Sequence, residues 1–205
     1  MRATALEVST LNSDADDERM TAAADVIVRA FAHDERRRAP RKLILDYIKK
    51  LVKTPDEGVV VVGVYKSTNA MPRVCCALTV AYDGGASLDP RGDASPAPNG
   101  EAYLANLACD GQLRRRGYAR QLVREADAIM FKKLGGEARA MYLHTEEGSA
   151  AHALFLSVGY EDVAPPPSSS GLFGTLFGGG GGGGGRPRTL LMRRSLSASM
   201  KEEEV

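Results

Sequence analysis

The stretch from Asn106 to Ala119 carries the densest chemistry in this sequence: Asn-Leu-Ala-Cys-Asp-Gly-Gln-Leu-Arg-Arg-Arg-Gly-Tyr-Ala. The apolar run to Cys109 reads as the end of a strand, and a helical stripe follows from Tyr118. Arg114, Arg115 and Arg116 therefore crowd the start of a helix. A helix N-terminus already carries roughly half a positive charge, so each added cation costs about 0.3–1 kcal/mol at an exposed position. An anion in the turn would reverse that sign. The free N–H groups of a first helical turn, joined by guanidinium forks, suit a phosphate or diphosphate. Gly117 would let the backbone approach it closely, and Ala119 keeps the next turn small. A solvated basic patch is the alternative. A nucleic-acid surface fits less well, since no aromatic platform interleaves the arginines and 27 Lys+Arg stand against 26 Asp+Glu.

The elements that must position this turn are legible on both sides of it. Thr4 to Thr10 can form a strand. Ala24, Ile27, Val28 and Phe31 share one face of a helix over about 20–31. Pro40 opens a second helix, with stripe Ile44, Tyr47, Ile48 and Leu51, closed by Pro55 and Gly58. Val59–Tyr65 and Val74–Tyr82 read as strands of an antiparallel hairpin turning at 69–72, and 83–100 as a loop. Then come a strand Ala102–Cys109, a helix Tyr118–Leu134 stopped by Gly135-Gly136, a strand Ala140–His144 and a helix Ser149–Val158 stopped by Gly159. Strands at Tyr160–Val163 and Thr189–Met192 complete the order β-α-α-β-β-β-α-β-α-β-β. The βαβ unit over 102–144 requires a right-handed parallel crossover. The fold class is thus α/β (α+β mixed), a central mixed sheet with helices on both faces.

Residues 1–194 are expected to form one domain, interrupted by a flexible insertion over 164–186 and followed by a polar tail over 195–205. The insertion holds Pro165-Pro166-Pro167, three serines, two Leu-Phe-Gly repeats and eight consecutive glycines ending at Gly185. Polyglycine has the largest backbone entropy and nothing to pack. It is not a phosphate loop, because no strand-to-helix junction frames it and no Lys-Ser/Thr ends it. No apolar run reaches transmembrane length, so no membrane partner is expected. Cys75, Cys76 and Cys109 make neither a disulfide framework nor a metal knuckle. With three His in the chain, no metal site is expected. Scarce cysteine fits a reducing compartment.

Arg114-x-x-Gly117-x-Ala119, after a strand and opening a helix, resembles the Q/R-x-x-G-x-G/A signature of the GNAT superfamily of acyl-CoA N-acyltransferases. Leu154-Phe155-Leu156-Ser157-Val158-Gly159-Tyr160 resembles that family's L-Y-x-x-x-G-F segment. The element order matches from about residue 4 to 163, with Thr189–Met192 as a closing strand. Tyr103-Leu104-Ala105-Asn106-Leu107 and Tyr142-Leu143-His144 look like N-terminal protein acetyltransferases, and like plant plastid N-acetyltransferases. The resemblance implies a GNAT-like fold and acetyl-CoA as co-substrate. It places the diphosphate on Arg114, Arg115, Arg116, Gly117, Tyr118 and Ala119, and the pantetheine arm along Leu107, Ala108 and Cys109. The parallel strands would splay to admit the thioester, and amides at Ala108 and Cys109 would hold the oxyanion. Tyr103 and His144 carry over as a water-linked general base, His144 with a loop before the next helix one residue shorter than in the family.

Two departures bear on mechanism. Phe155 stands where many members place a tyrosine general acid, and Gly148 where an asparagine commonly opens the helix. Acetyl transfer to a primary amine, a protein α-amine or lysine, is the leading expectation. A small-amine acetyltransferase and a non-catalytic acyl-CoA-binding module are the alternatives. An RNA-contacting role for Arg114–Arg116 with Arg186–Arg194 is a further, weaker one. Cys109 could accept an acyl group, but a small core residue is the expected role. The chain is expected in the cytoplasm, with the plastid as the alternative; Asp14, Asp16, Asp17 and Glu18 near the N-terminus are unlike a transit peptide.

Overall fold

A computed structural model describes residues 6–14, 17–33, 39–67, 70–82, 97–133, 139–163 and 188–196. The elements are β1 (Leu6–Leu11), α1 (Asp17–Phe31), α2 (Arg41–Lys53), β2 (Gly58–Ser67), β3 (Ala70–Ala81), β4 (Ala102–Cys109), α3 (Tyr118–Lys133), β5 (Arg139–Glu146), α4 (Ala150–Ser157), β6 (Glu161–Asp162) and β7 (Thr189–Leu196). The expected element order holds. The helix-stop glycines 135–136, the insertion 164–186 and residues 197–205 of the tail lie outside the described residues.

All seven strands form one sheet in the order β1-β2-β3-β4-β5-β7-β6. Only β4 and β5 run parallel; the other pairs are antiparallel. The valine run of β2 shows how the sheet sorts its faces. Val60 and Val62 pack with Ala24, Ile27, Ile48 and Leu51 of α1 and α2, while Val61 packs with Leu122, Val123 and Met130 of α3. Alternation along a strand sends neighbours to opposite faces, so a uniformly apolar strand must have helices on both. Phe155 of α4 joins the α3 layer.

Local chemistry sets the element ends. Asp17 and Glu18 open α1, where acids suit the helix dipole. Pro40 caps α2, its carbonyl accepting from Leu43 N–H at 2.9 Å. Gly58 begins β2 because nothing larger fits there: a Cβ would lie 2.4 Å from Val80 O and 2.8 Å from a Leu51 methyl. Two boundaries differ from the sequence reading. The hairpin turn does not extend over 70–72, since β3 already starts at Ala70. β7 continues through Ser195 to Leu196, which is fully buried and takes that pair out of the tail.

Candidate active site

β4 changes its facing in mid-strand. Thr79 pairs with Ala105 but Ala77 pairs with Ala108, so β4 spends one residue more than β3 over this interval. Asn106 sits in the bulge with φ +58°, a conformation asparagine tolerates better than most residues. Its Nδ2 donates to Thr79 Oγ1 at 3.1 Å, and that hydroxyl donates to Ala105 O at 3.2 Å. Tyr47 of α2 reaches the same buried threonine. The sequence reading assigned no role to Asn106 or Thr79. A polar pair inside apolar strands was the available signal.

The bulge accompanies an opening in the sheet. β4 and β5 pair only at Ala102↔Met141 and Tyr103↔Tyr142. Among the described residues no strand pairs with β4 on that side beyond Tyr103, while β5 stays zipped to β7 as far as Glu146. The splay expected between these strands is present.

The ladder on β4's other side tells which backbone groups face the cleft. Asp110 N–H donates to Cys75 O at 2.8 Å, which makes Cys76↔Cys109 a non-hydrogen-bonded pair. The adjacent pair, Ala77 and Ala108, then exchanges both ladder bonds. The N–H and C=O of Cys109 and the C=O of Leu107 therefore face the cleft, and the N–H and C=O of Ala108 do not. Of the two amides expected to serve an oxyanion, that of Cys109 faces the cleft and that of Ala108 bonds within the sheet. The Cys109 side chain packs on the α3 face, away from the Tyr103–His144 pair, which favours the core role over the acyl acceptor.

After β4, Asp110 caps a short turn over Gly111–Leu113, its carboxylate accepting from Gln112 N–H at 3.0 Å. Leu113 and Tyr118 are buried on either side of exposed Arg114, Arg115, Arg116 and Gly117, so two apolar anchors hold up a basic loop. Arg115 has φ +63° and Gly117 φ +81°. Two left-handed residues, one apart, make the tight backbone turn that leads into α3. The first helical bond of α3 runs from Gln121 N–H to Gly117 O. The amides of Tyr118, Ala119 and Arg120 thus lack intrahelical acceptors. A Cβ built on Gly117 meets nothing within 4 Å, so the glycine serves the backbone angle and leaves open space above the turn. Arg114 Nε bonds back to Cys109 O at 3.4 Å, joining loop to strand. Diphosphate chemistry fits these donors.

Tyr103 and Tyr142 are Cα partners, and His144 lies two residues further along β5, so all three side chains share the α1/α2 face. Tyr103 Oη and His144 Nδ1 are 2.9 Å apart, the rings 5.6 Å apart and tilted 53°. The sequence pair therefore meets at the apex of the cleft, Tyr103 buried and His144 half-buried. An imidazole held in place by a phenol is positioned to accept a proton from a group entering the cleft. Phe155 lies on the other face, edge-on to Tyr160 with ring centres 5.5 Å apart. Ser149 caps α4 by accepting from His152 N–H at 3.1 Å, in the absence of the asparagine.

One buried charge escaped the sequence reading. Asp127 of α3 is fully buried, accepts from Tyr160 Oη–H at 3.0 Å and forms an ion pair with Arg194 of β7 at 2.9 Å. Arg194 also donates to Val158 O. Burial pushes the Asp127 carboxyl up to about 6, against the opposing pull of Arg194 and the Tyr160 hydrogen bond. An acid four residues after Val123 on an apolar stripe was the signal.

The acetyltransferase (GNAT) family profile matches residues 32–160, more than half of the chain. The chain belongs to the GNAT acetyltransferase family. Solved structures share the fold of this GNAT chain. The ribosomal-protein-S18-alanine N-acetyltransferase of Escherichia coli aligns with TM-score 0.57 and 16% identity over 98% of this chain and 99% of that one. The NatC complex bound to Gag peptide and CoA contains a chain aligning at 0.59 and 15%, over 92% and 96%. Arabidopsis thaliana NAA60 with a bisubstrate analogue aligns at 0.57 and 12%, over 93% and 98%. No curated protein matches at the sequence level. The family uses acetyl-CoA, and this GNAT chain is an acetyltransferase enzyme. No helix among the described residues is long and apolar enough to cross a membrane.

Proposed function

We propose that this acetyltransferase acetylates protein or peptide α-amines, with Arg114–Ala119 and the open edge of β4 holding acetyl-CoA and the Tyr103–His144 pair taking the amine proton. The observation that carries this reading is the 2.9 Å contact between Tyr103 and His144 at the point where β4 and β5 part. Two of the solved structures of this fold are named for N-acetylation of a ribosomal protein or hold a peptide with CoA, which supports the same acceptor class.

Bound acetyl-CoA supplies an activated acetyl thioester. The first-turn amides of Tyr118, Ala119 and Arg120 and the three arginines hold its diphosphate. Leu107 and Cys109 offer the pantetheine arm the groups a neighbouring strand would use. Cys109 N–H points into the cleft and serves the oxyanion of the attacked carbonyl. The acceptor enters from the α1/α2 side, where His144, held by Tyr103, receives the proton directly or through water.

The chemistry favours an α-amine. Its pKa near 7.7–8.0 leaves roughly a tenth neutral at pH 7, whereas a lysine near 10.4 leaves about 0.04%. A single imidazole base handles the first far more readily. Phe155 cannot donate a proton to the departing thiolate, but a thiol pKa near 8.5 makes unassisted departure inexpensive.

The test is mass spectrometry of a mixed peptide library incubated with acetyl-CoA, half the peptides N-terminally blocked. The expected product is acetylation of free N-termini in preference to lysines, lost in His144→Ala. Modification of blocked peptides alone would move the acceptor to lysine. Binding of acetyl-CoA with no turnover on peptides or small amines would favour the non-catalytic module that Phe155 suggests.

A further inference from the structure

Three thiols meet beneath the proposed cofactor loop, on the face of the sheet opposite the catalytic pair. Cys75 Sγ lies 3.9 Å from Cys76 Sγ, and Cys76 also shares a side-chain hydrogen bond with Cys109. A bulge in β3 makes this arrangement possible. Gly63 pairs with Cys76 while Val64 pairs with Val74, so Cys75 is the extra residue, and both thiols enter the α3-face core.

Of the two thiol contacts, the cross-strand one between Cys76 and Cys109 is the one suited to a disulfide. Cys75 and Cys76 are sequence neighbours, with Cα atoms about 3.8 Å apart across a trans peptide. That is shorter than the roughly 4.4–6.8 Å a disulfide usually spans. Cys76 and Cys109 face each other across β3 and β4 at a non-hydrogen-bonded site. Directly opposed Cα atoms there stand about 4.5 Å apart with their side chains at their closest. The partners also differ in access. Cys76 is fully buried and Cys109 half-buried, so an oxidant reaches Cys109 first. The two neighbouring thiols and burial push the Cys76 thiol up, which keeps it from being the sulfur that meets the oxidant first.

We propose that Cys109 and Cys76 form a reversible oxidation site for hydroperoxides, closing a cross-strand disulfide that weakens acetyl-CoA binding. The Cys109 thiolate attacks hydrogen peroxide, an S–O bond forms as the O–O bond breaks, and hydroxide leaves as water. Cys76 then attacks the sulfenic sulfur. The S–S bond forms, the S–O bond breaks, and the Cys76 proton departs with the hydroxide as a second water. Two thiols lose two electrons, and one peroxide becomes two waters. The cross-link fixes the residue whose N–H faces the cleft and whose carbonyl accepts from Arg114 at 3.4 Å. Pulling Cys109 toward β3 therefore displaces both the thioester end and the diphosphate end of the site. The affinity effect rests on the cofactor site proposed above, whereas the cross-link does not.

The full chain, reduced and then exposed to hydrogen peroxide, is alkylated with N-ethylmaleimide and mapped by peptide mass spectrometry. The expected product joins Cys76 to Cys109 with loss of two hydrogens, persists in Cys75→Ser, and is reversed by dithiothreitol. In Cys76→Ala the same treatment should leave Cys109 as a sulfenic acid trapped by dimedone. Calorimetry of oxidised against reduced chain should show the acetyl-CoA Kd raised about fivefold or more. A Cys75–Cys76 link, no link at all, or a Cys76–Cys109 link with unchanged affinity would overturn the proposal. A reduced chain that fails to bind acetyl-CoA would overturn the cofactor site instead, and the mapping would still decide the cross-link.

Discussion

Gly117→Ala separates what the anion loop costs the fold from what it contributes to binding. Gly117 has φ +81°, and a Cβ placed on it meets no atom within 4 Å. The free protein therefore feels no clash, only the strain of a left-handed alanine, about 1–2 kcal/mol. For a chain of this size each kcal/mol lowers Tm by roughly 2–4 °C. The open space above the turn is where a diphosphate would contact the amides following Gly117. A methyl there pushes the anion back by an atom's width and adds to the strain, so acetyl-CoA should bind at least about tenfold more weakly, or about 1.4 kcal/mol. Gly100→Ala is the matched control: φ is +75°, its Cβ also meets nothing within 4 Å, and it lies before β4, remote from the loop in sequence. Both variants should lose similar stability by thermal denaturation, and only Gly117→Ala should lose affinity for acetyl-CoA and for 3′,5′-ADP by calorimetry. Equal affinities in the two variants would refute the assignment of the anion to this turn.

Removing the proposed base should spare acetyl-CoA binding. His144→Ala is expected to lower kcat by roughly 10²–10⁴ while acetyl-CoA affinity holds, and Tyr103→Phe should lower it less, since the imidazole stays; steady-state kinetics beside calorimetry checks both. Asp127→Asn tests the buried ion pair. The wild-type carboxyl is pushed up to about 6 in the fold, above roughly 3.9 in the unfolded chain, so the native state holds its proton more tightly. Between about pH 4 and 6 the unfolded state ionises first, and wild type should lose on the order of 3 kcal/mol relative to Asp127→Asn as pH rises. Urea melts across that window measure it; parallel curves would disprove the raised pKa. The variant is less stable than wild type at pH 7, because Arg194 is left without its carboxylate. Gly58→Ala forces a Cβ to within 2.4 Å of Val80 O, backbone that cannot rotate aside, and should cost about 1–3 kcal/mol in denaturant melts.

Much of this site was written in local sequence, and the rest in register. Three arginines ahead of a glycine and an apolar helical stripe announce an anion turn, because helix electrostatics act within a few residues. The pairing of Tyr103 with His144 needed the alignment of β4 on β5, since a one-residue slip would have turned the histidine to the other face. Asn106 shows why periodicity alone fails at such a place. Strict alternation from Leu104 would send Leu107 and Cys109 to the face of Tyr103, yet both pack on the α3 side. The bulge at Asn106 inverts the strand's facing between Tyr103 and the open edge at Leu107–Cys109. That inversion lets a single strand present Tyr103 beside His144 on one face and pack the Cys109 thiol on the other, while the Cys109 N–H stays in the plane of the sheet, aimed into the cleft. A regular strand could set the same residues in order, but not on these faces.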